Sequence, residues 1–292
     1  MQSLSNLCYR QRTYSTARAE RKGSADSISK ACRFKGTASA AAIHEKLRCR
    51  SSFELTKGCN SFMFLECRDL TFGYQGTTKT LFKNLSFKFE NPGFHSLFGS
   101  SGVGKSSLAR ILCGLLRPEK GRVDTDSIDS LLYAHNLERL PGWSSIGEHI
   151  ERITPHHNQD KKELLIRHFG MSAHLRKRFS QLSLGQKNRI NLLRYLVQDF
   201  NVLIVDECLA NVDEKLRARI LIHIKAMFKD RLFIYISHNV IEVANYCQQI
   251  WVLRGPERDE QAVLVRGQDC RDQKCLDRST LQQTMLEIMN AA

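Results

Sequence analysis

The chain has 292 residues, 42% hydrophobic and 25% charged, and carries a formal net charge of +14. That length can bury one large core or two modest ones, whereas no apolar run nears the roughly 18 residues that a membrane-spanning helix needs. Ten cysteines without a single CxxC pair argue against a disulfide framework and fit a reduced, cytosolic setting.

The charge is uneven. Residues 1–62 carry 12 Lys+Arg against 4 Asp+Glu, a net +8, which leaves +6 for the other 230 residues. With so mild an excess and no aromatic platform or recognition motif, nucleic acid is not an expected partner. This basic, Ser- and Ala-rich stretch reads as a disordered extension. An organelle transit peptide has such a composition, and so does upstream sequence translated from a start codon assigned too early. The second reading is favoured, because Met63 opens directly onto the first strand pattern.

That strand is expected over residues 64–70, with Tyr74 just beyond it. A second strand follows, in which Leu85, Phe87 and Phe89 alternate toward one face. An apolar run through Phe94, Leu97 and Phe98 then leads into a glycine-rich loop, and Leu108, Ile111, Leu112 and Leu115 continue at helical spacing. Residues 117–121 read as a polar turn, 131–133 as a short strand, and 144–179 as rich in helix. From there helices at 186–199, 213–228 and 239–247 alternate with strands at 201–206, 231–236 and 249–253, and a closing helix covers 281–289. Strands alternating with helices imply an α/β fold around a mainly parallel sheet. Leu216, Ile220, Ile224 and Met227 form one apolar helix face, most simply core. Cys270 and Cys275 have no histidine nearby, so a metal site there is not favoured.

The loop reads Gly99, Ser100, Ser101, Gly102, Val103, Gly104, Lys105, Ser106 and fits GxxxxGK[ST] between a strand and a helix. Its glycines let successive N–H groups turn toward a polyphosphate, and the helix start adds a positive pole. Lys105 is the charge for the β and γ phosphates. Ser106 is placed to ligate Mg²⁺, and Ser107 extends the nucleotide-binding run. Farther on, residues 201–207 (NVLIVDE) form an apolar strand that delivers two carboxylates to its C-terminal end. Asp206 suits a Mg²⁺ ligand, and Glu207 suits the group that orients the attacking water. An acidic pair that merely ends a strand and caps a helix is the plainer alternative.

Residues 182–186, LSLGQ, open a helix ahead of that strand and resemble the signature of ABC ATPases. With the phosphate loop, the acidic strand and a later His238, the resemblance covers about residues 63–255. It implies an ABC-type P-loop ATPase that binds ATP and Mg²⁺, with an antiparallel β subdomain and a helical subdomain near 144–185. It places the cassette at 63–256, ahead of a short C-terminal extension over 257–292. In that family Ser183, Gly185 and Gln186 would reach a nucleotide held by a second copy of the chain, in a dimer sandwiching two ATP molecules. His238 matches the switch histidine that supports the catalytic carboxylate, and residues 210–213 match the loop crossing the dimer interface. Tyr74 matches the aromatic that stacks on adenine, with core burial as its rival role. Asn136, or else His135, stands where the family has a Gln that reaches Mg²⁺ and water, in the loop that couples ATP to the membrane partner.

Segments 140–143, 242–244 and 252–257 are similar to importers of the nitrate, sulfonate and taurine group. Such a subunit works with integral membrane permeases and an extracytoplasmic substrate-binding protein, peripheral to the inner face of the cell membrane. The Arg176, Lys177, Arg178 run reads as a solvated helix end, with lipid or permease contact as the other reading. The competing functions are a soluble ABC ATPase acting on ribosomes or DNA, and a P-loop kinase.

Overall fold

The structure, a computed structural model, describes residues 63–77, 79–136, 142–272 and 278–292. The basic extension over 1–62, the first half of the 140–143 segment and Cys275 lie outside the described residues.

Two sheets organise the described residues. The first is antiparallel, in the order β2-β1-β4, with β1 over Phe64–Gly73, β2 over Thr80–Glu90 and β4 over Lys120–Asp126. In β2 the expected alternation holds, with Leu85, Phe87 and Phe89 all buried. β4 had no expectation in the sequence; it begins inside the polar turn expected over 117–121 and runs on to Asp126. Its sequence, KGRVDTD, is largely exposed, because an edge strand needs only its ladder to β1 and offers no apolar face to detect. Gly121, at φ 82, sits where a Cβ would meet the Asp69 carbonyl at 2.4 Å, so only glycine enters that ladder without strain.

The second sheet has six strands in the order β5-β6-β7-β3-β8-β9. They are β3 (Gly93–Gly99), β5 (Leu131–His135), β6 (Val202–Asp206), β7 (Leu232–Ile236), β8 (Gln249–Leu253) and β9 (Ala262–Arg266). The first five run parallel; β9 returns antiparallel to β8. The fold is therefore α/β with a mainly parallel sheet beside an antiparallel one. β9 had no expectation in the sequence. β5 runs two residues longer than expected, which brings His135 opposite Asp206.

Central strands are buried on both faces, as continuous apolar runs require. Leu203, Val205, Phe233 and Tyr235 enter one core, shared with the helices α2 (Ile146–Ile153), α3 (Gln159–His168), α4 (Leu184–Leu196) and α5 (Glu214–Met227). Val202, Ile204, Leu232 and Ile234 enter the other, shared with α1 (Lys105–Leu112) and the antiparallel sheet. The period-2 alternation of side chains divides one strand between two cores. Each fully buried Leu or Ile there contributes roughly 1.5–3 kcal/mol. Short α6 (Val240–Tyr246) and the closing α7 (Arg278–Ala291) complete the chain. Most boundaries fall within two residues of expectation; α4 begins two residues early, at its Ser183 cap.

The strand order is what builds a site. β5, β6, β7 and β3 are consecutive neighbours and parallel, so the segments leaving their C-terminal ends emerge along one edge. Those segments begin with Asn136, Glu207, Ser237 and the loop after Gly99.

Candidate functional site

The loop after β3 is held by glycines that nothing else replaces. Gly99 adopts φ 143 where a Cβ would lie 2.6 Å from the Leu253 carbonyl, and Gly104 adopts φ 109 where it would strike the Phe82 ring at 2.7 Å. Gly104 is also the N-cap of α1 and offers no side-chain hydrogen bond. The first amides of α1 therefore remain available to an anion, at the positive end of the helix. Lys105 is buried at 6% exposure, and its Nζ donates to the Gly99 and Ser100 carbonyls at 2.8 and 2.9 Å. Burial holds its ammonium below the usual lysine range, and the facing Glu207 and Asp206 carboxylates oppose that shift. A buried ammonium, uncapped helix amides and glycines at the tight backbone positions fit a triphosphate.

Ser106 is exposed at the mouth of this loop, as are Ser100, Ser101 and Gly102, whereas Val103 is buried beneath it. Ser107 is buried and shares a 2.8 Å hydrogen bond with the Tyr74 hydroxyl. Tyr74 itself is 42% exposed, its ring meeting Phe72 edge-on at 5.2 Å. Core burial does not describe it; it is a surface ring tied to the phosphate loop.

Asp206 ends β6 at 5% exposure, its Oδ2 accepting from the Tyr133 hydroxyl at 2.8 Å. Tyr133 is a residue the sequence did not single out. Burial first, and then the Asp206 charge, push its phenol well above the ordinary range, so it remains a donor. Glu207 follows with φ 54, a left-handed conformation uncommon outside glycine. Its amide donates to the Ile236 carbonyl at 3.0 Å, which binds this turn to the neighbouring strand end. Glu207 Oε1 and His238 Nε2 lie 2.5 Å apart. Asp206, Glu207, His238 and Lys105 thus occupy one edge. Asn136 follows directly on β5, and the His135 carbonyl before it accepts from Asn191 of α4 at 2.7 Å. Ser106, Asp206 and Asn136 carry hard oxygens of the kind Mg²⁺ takes.

The signature residues stand apart from this group. Ser183 caps α4, accepting from the Gln186 amide at 3.3 Å while Gln186 Oε1 accepts from the Ser183 amide at 3.0 Å. Gln186 also meets His174 at 3.2 Å, and a Cβ on Gly185 would fall 2.4 Å from the Asn211 carbonyl. Leu184 projects outward, 54% exposed. These contacts run to His174 and Asn211 rather than to Lys105 or Glu207. Asp213, in the same segment as Asn211, caps α5 by accepting from the Leu216 amide at 2.9 Å. Arg176, Lys177 and Arg178 are all exposed to solvent.

A family model described as ABC transporter matches residues 82–210. An uncharacterized ABC transporter ATP-binding protein of Haemophilus influenzae is 30% identical over 232 residues, which cover 75% of this chain and 96% of that protein. The nickel import ATP-binding protein NikE of Pseudomonas putida is 32% identical over 186 residues, 54% of this chain and 68% of that one. Among solved structures, an ATP binding subunit of an ABC transporter superposes with a TM-score of 0.64 at 18% identity, covering 77% of this chain and 99% of that chain. The last likeness bears on fold alone, and the fold is that of an ABC-type P-loop NTPase.

Proposed function

The chain belongs to the ABC transporter ATP-binding proteins, and from that premise we propose that it is one half of an ATP-driven pair energising solute import through separate permease subunits. Binding and hydrolysis of ATP are the activity of its family. Membership also removes the P-loop kinase alternative. The observation that carries the residue assignment is the Glu207–His238 contact, set at the sheet edge beside a buried Lys105.

Lys105 and the amides from Gly99 to Ser107 hold the triphosphate, and the Tyr74 ring meets the base. Ser106, Asp206 and Asn136 would hold Mg²⁺, which when bound neutralises charge on the β and γ phosphates. Glu207 accepts a hydrogen bond from the attacking water and aims it, while His238 fixes the Glu207 carboxylate and faces the γ phosphate. Positioning and electrostatics account for most of such catalysis. Ser183, Gly185 and Gln186 serve the nucleotide on a second copy of this chain, which explains why they make no contact with its own phosphate loop.

The cassette spans 63–256, with a helical subdomain near 144–185 and a short extension beyond it. The solute is small, of the nitrate, sulfonate or taurine kind, on the strength of segments 140–143, 242–244 and 252–257. NikE is named for nickel import, which supports import as the direction. The permeases place the chain on the inner face of the cell membrane, and a substrate-binding protein completes the system outside.

The test is Glu207→Gln. It is expected to keep ATP affinity, lose turnover and accumulate a nucleotide-bound dimer; undiminished ATPase activity rejects Glu207 as the catalytic carboxylate. Co-purification with an integral membrane protein supports the importer, and recovery with ribosomes or nucleic acid overturns it.

A further inference from the structure

Three hydrogen-bond donors and one cation converge on a carboxylate that the proposed mechanism does not use. Glu242, on α6, is 5% exposed. Its Oε2 accepts from the Tyr235 hydroxyl at 2.9 Å and the Ser237 hydroxyl at 3.2 Å, and its Oε1 accepts from Asn239 Nδ2 at 3.0 Å. The Glu242 amide is in turn capped by Asn239 Oδ1 at 3.3 Å. Ser237 and Asn239 are the two neighbours of His238, so both flanks of that histidine end on one side chain.

Arg217 of α5 approaches the same Oε1 with Nε at 2.6 Å, as an ion pair rather than a linear hydrogen bond. Its Nη1 donates to the Leu209 carbonyl at 3.3 Å. Leu209 lies two residues beyond Glu207. A continuous path therefore runs from the flanks of His238, through Glu242 and Arg217, to the segment leaving Glu207.

We propose that the Arg217–Glu242 pair is a positioning device that holds His238 and Glu207 in register with each other. The proposal rests on the roles given to Glu207 and His238 above. Those two side chains are 31% and 54% exposed, so packing does not fix them. Their supporting pair is far more enclosed, at 15% and 7%. Burying two opposite charges is seldom the most stable way to fill such a space, since desolvation offsets their attraction. What the pair supplies is direction, because a guanidinium and a carboxylate accept only a few mutual arrangements. Tyr235 strengthens this, its phenol kept protonated chiefly by burial and secondarily by the Glu242 charge.

The experiment uses the full chain and two variants, Glu242→Gln and Arg217→Lys. Each is expected to lower kcat by roughly 10-fold or more while leaving the KM for ATP within about 2-fold. Introduced into His238→Ala, Glu242→Gln is expected to cost clearly less than it does alone, because one of the two groups it positions is gone. Amide exchange over residues 208–213 should quicken in both variants. A full additional loss in the His238→Ala background, or unaltered exchange over 208–213, overturns the proposal. If Glu242→Gln does not fold, Arg217→Lys keeps the buried charge and carries the exchange test alone. Retained ATPase activity in Glu207→Gln would instead indict the reading of Glu207, and the exchange result would still stand.

Discussion

Gly185→Ala sets two effects of opposite sign against each other. Gly185 is the second residue of α4, and replacing a helical glycine by alanine ordinarily stabilises by roughly 0.5–1 kcal/mol. The structure argues for the reverse. An added Cβ would lie 2.4 Å from the Asn211 carbonyl oxygen, a backbone atom that cannot swing aside. Contact must open by at least ~0.6 Å to become tolerable, and overpacking of this kind costs roughly 1–3 kcal/mol. The clash outweighs the gain in helix propensity over nearly the whole of these ranges, which leaves a net destabilisation of up to about 2.5 kcal/mol. For a domain of this size that lowers Tm by up to roughly 10 °C. Thermal unfolding of the purified chain measures the sign, and ATPase assays at fixed protein concentration measure the consequence. Because the strain falls on the segment between Glu207 and the Asp213 cap, turnover should drop with the Tm. A Tm that rises to the helix-propensity value refutes the close approach of α4 to Asn211.

Three further outcomes follow from the same geometry. Lys105→Ala removes the buried ammonium facing Asp206 and Glu207, and should weaken ATP binding at least ~10-fold, roughly the worth of one charge-assisted bond; equal affinity by calorimetry counts against the loop as the phosphate site. Tyr133→Phe leaves Asp206 Oδ2 without its 2.8 Å donor and should cost about 1–3 kcal/mol in denaturant unfolding, together with a higher Mg²⁺ requirement for nucleotide binding; no change in either contradicts the contact. His95, 1% exposed with no partner at Nδ1, is pushed down to about 4, chiefly by burial. Between pH 4 and about 6.5 the unfolded chain holds the extra proton, so stability is complete above that window and falls as the pH drops through it, by about 3 kcal/mol at most. In His95→Phe the slope of Tm against pH over this range should flatten, and an unchanged slope assigns it to other groups.

Much of the site was legible because its chemistry is local in sequence. Eight consecutive residues make the phosphate loop, two consecutive carboxylates end β6, and one histidine follows β7; each announces itself without knowledge of the fold. Tyr133 reaches Asp206 across 73 residues and Asn191 reaches His135 across 56, while Arg217 and Glu242 meet from different helices. In sequence a tyrosine in a short strand is packing, and a Glu within a helix is a solvated face. Only the pairing of β5 with β6, and the approach of α5 to α6, turns them into partners. The same limit hid β4, whose polar sequence is consistent with a turn until β1 lies beside it.

The site also divides by burial in a way that bears on how it works. Lys105 and Asp206, which hold phosphate and metal in the proposed reading, are 6% and 5% exposed and fixed by backbone or strand contacts. In that reading these two groups are set by the fold itself, and binding need not order them. Glu207 and His238, which aim the attacking water in the proposed reading, are more open to solvent, at 31% and 54%. Water around a carboxylate weakens its grip on any one geometry, so the catalytic pair gains its full effect only when something excludes that water. Within this chain the Arg217–Glu242 path limits how far the pair can drift, but it does not cover it. A second copy presenting Ser183 and Gly185 is the cover that the sequence resemblance supplies.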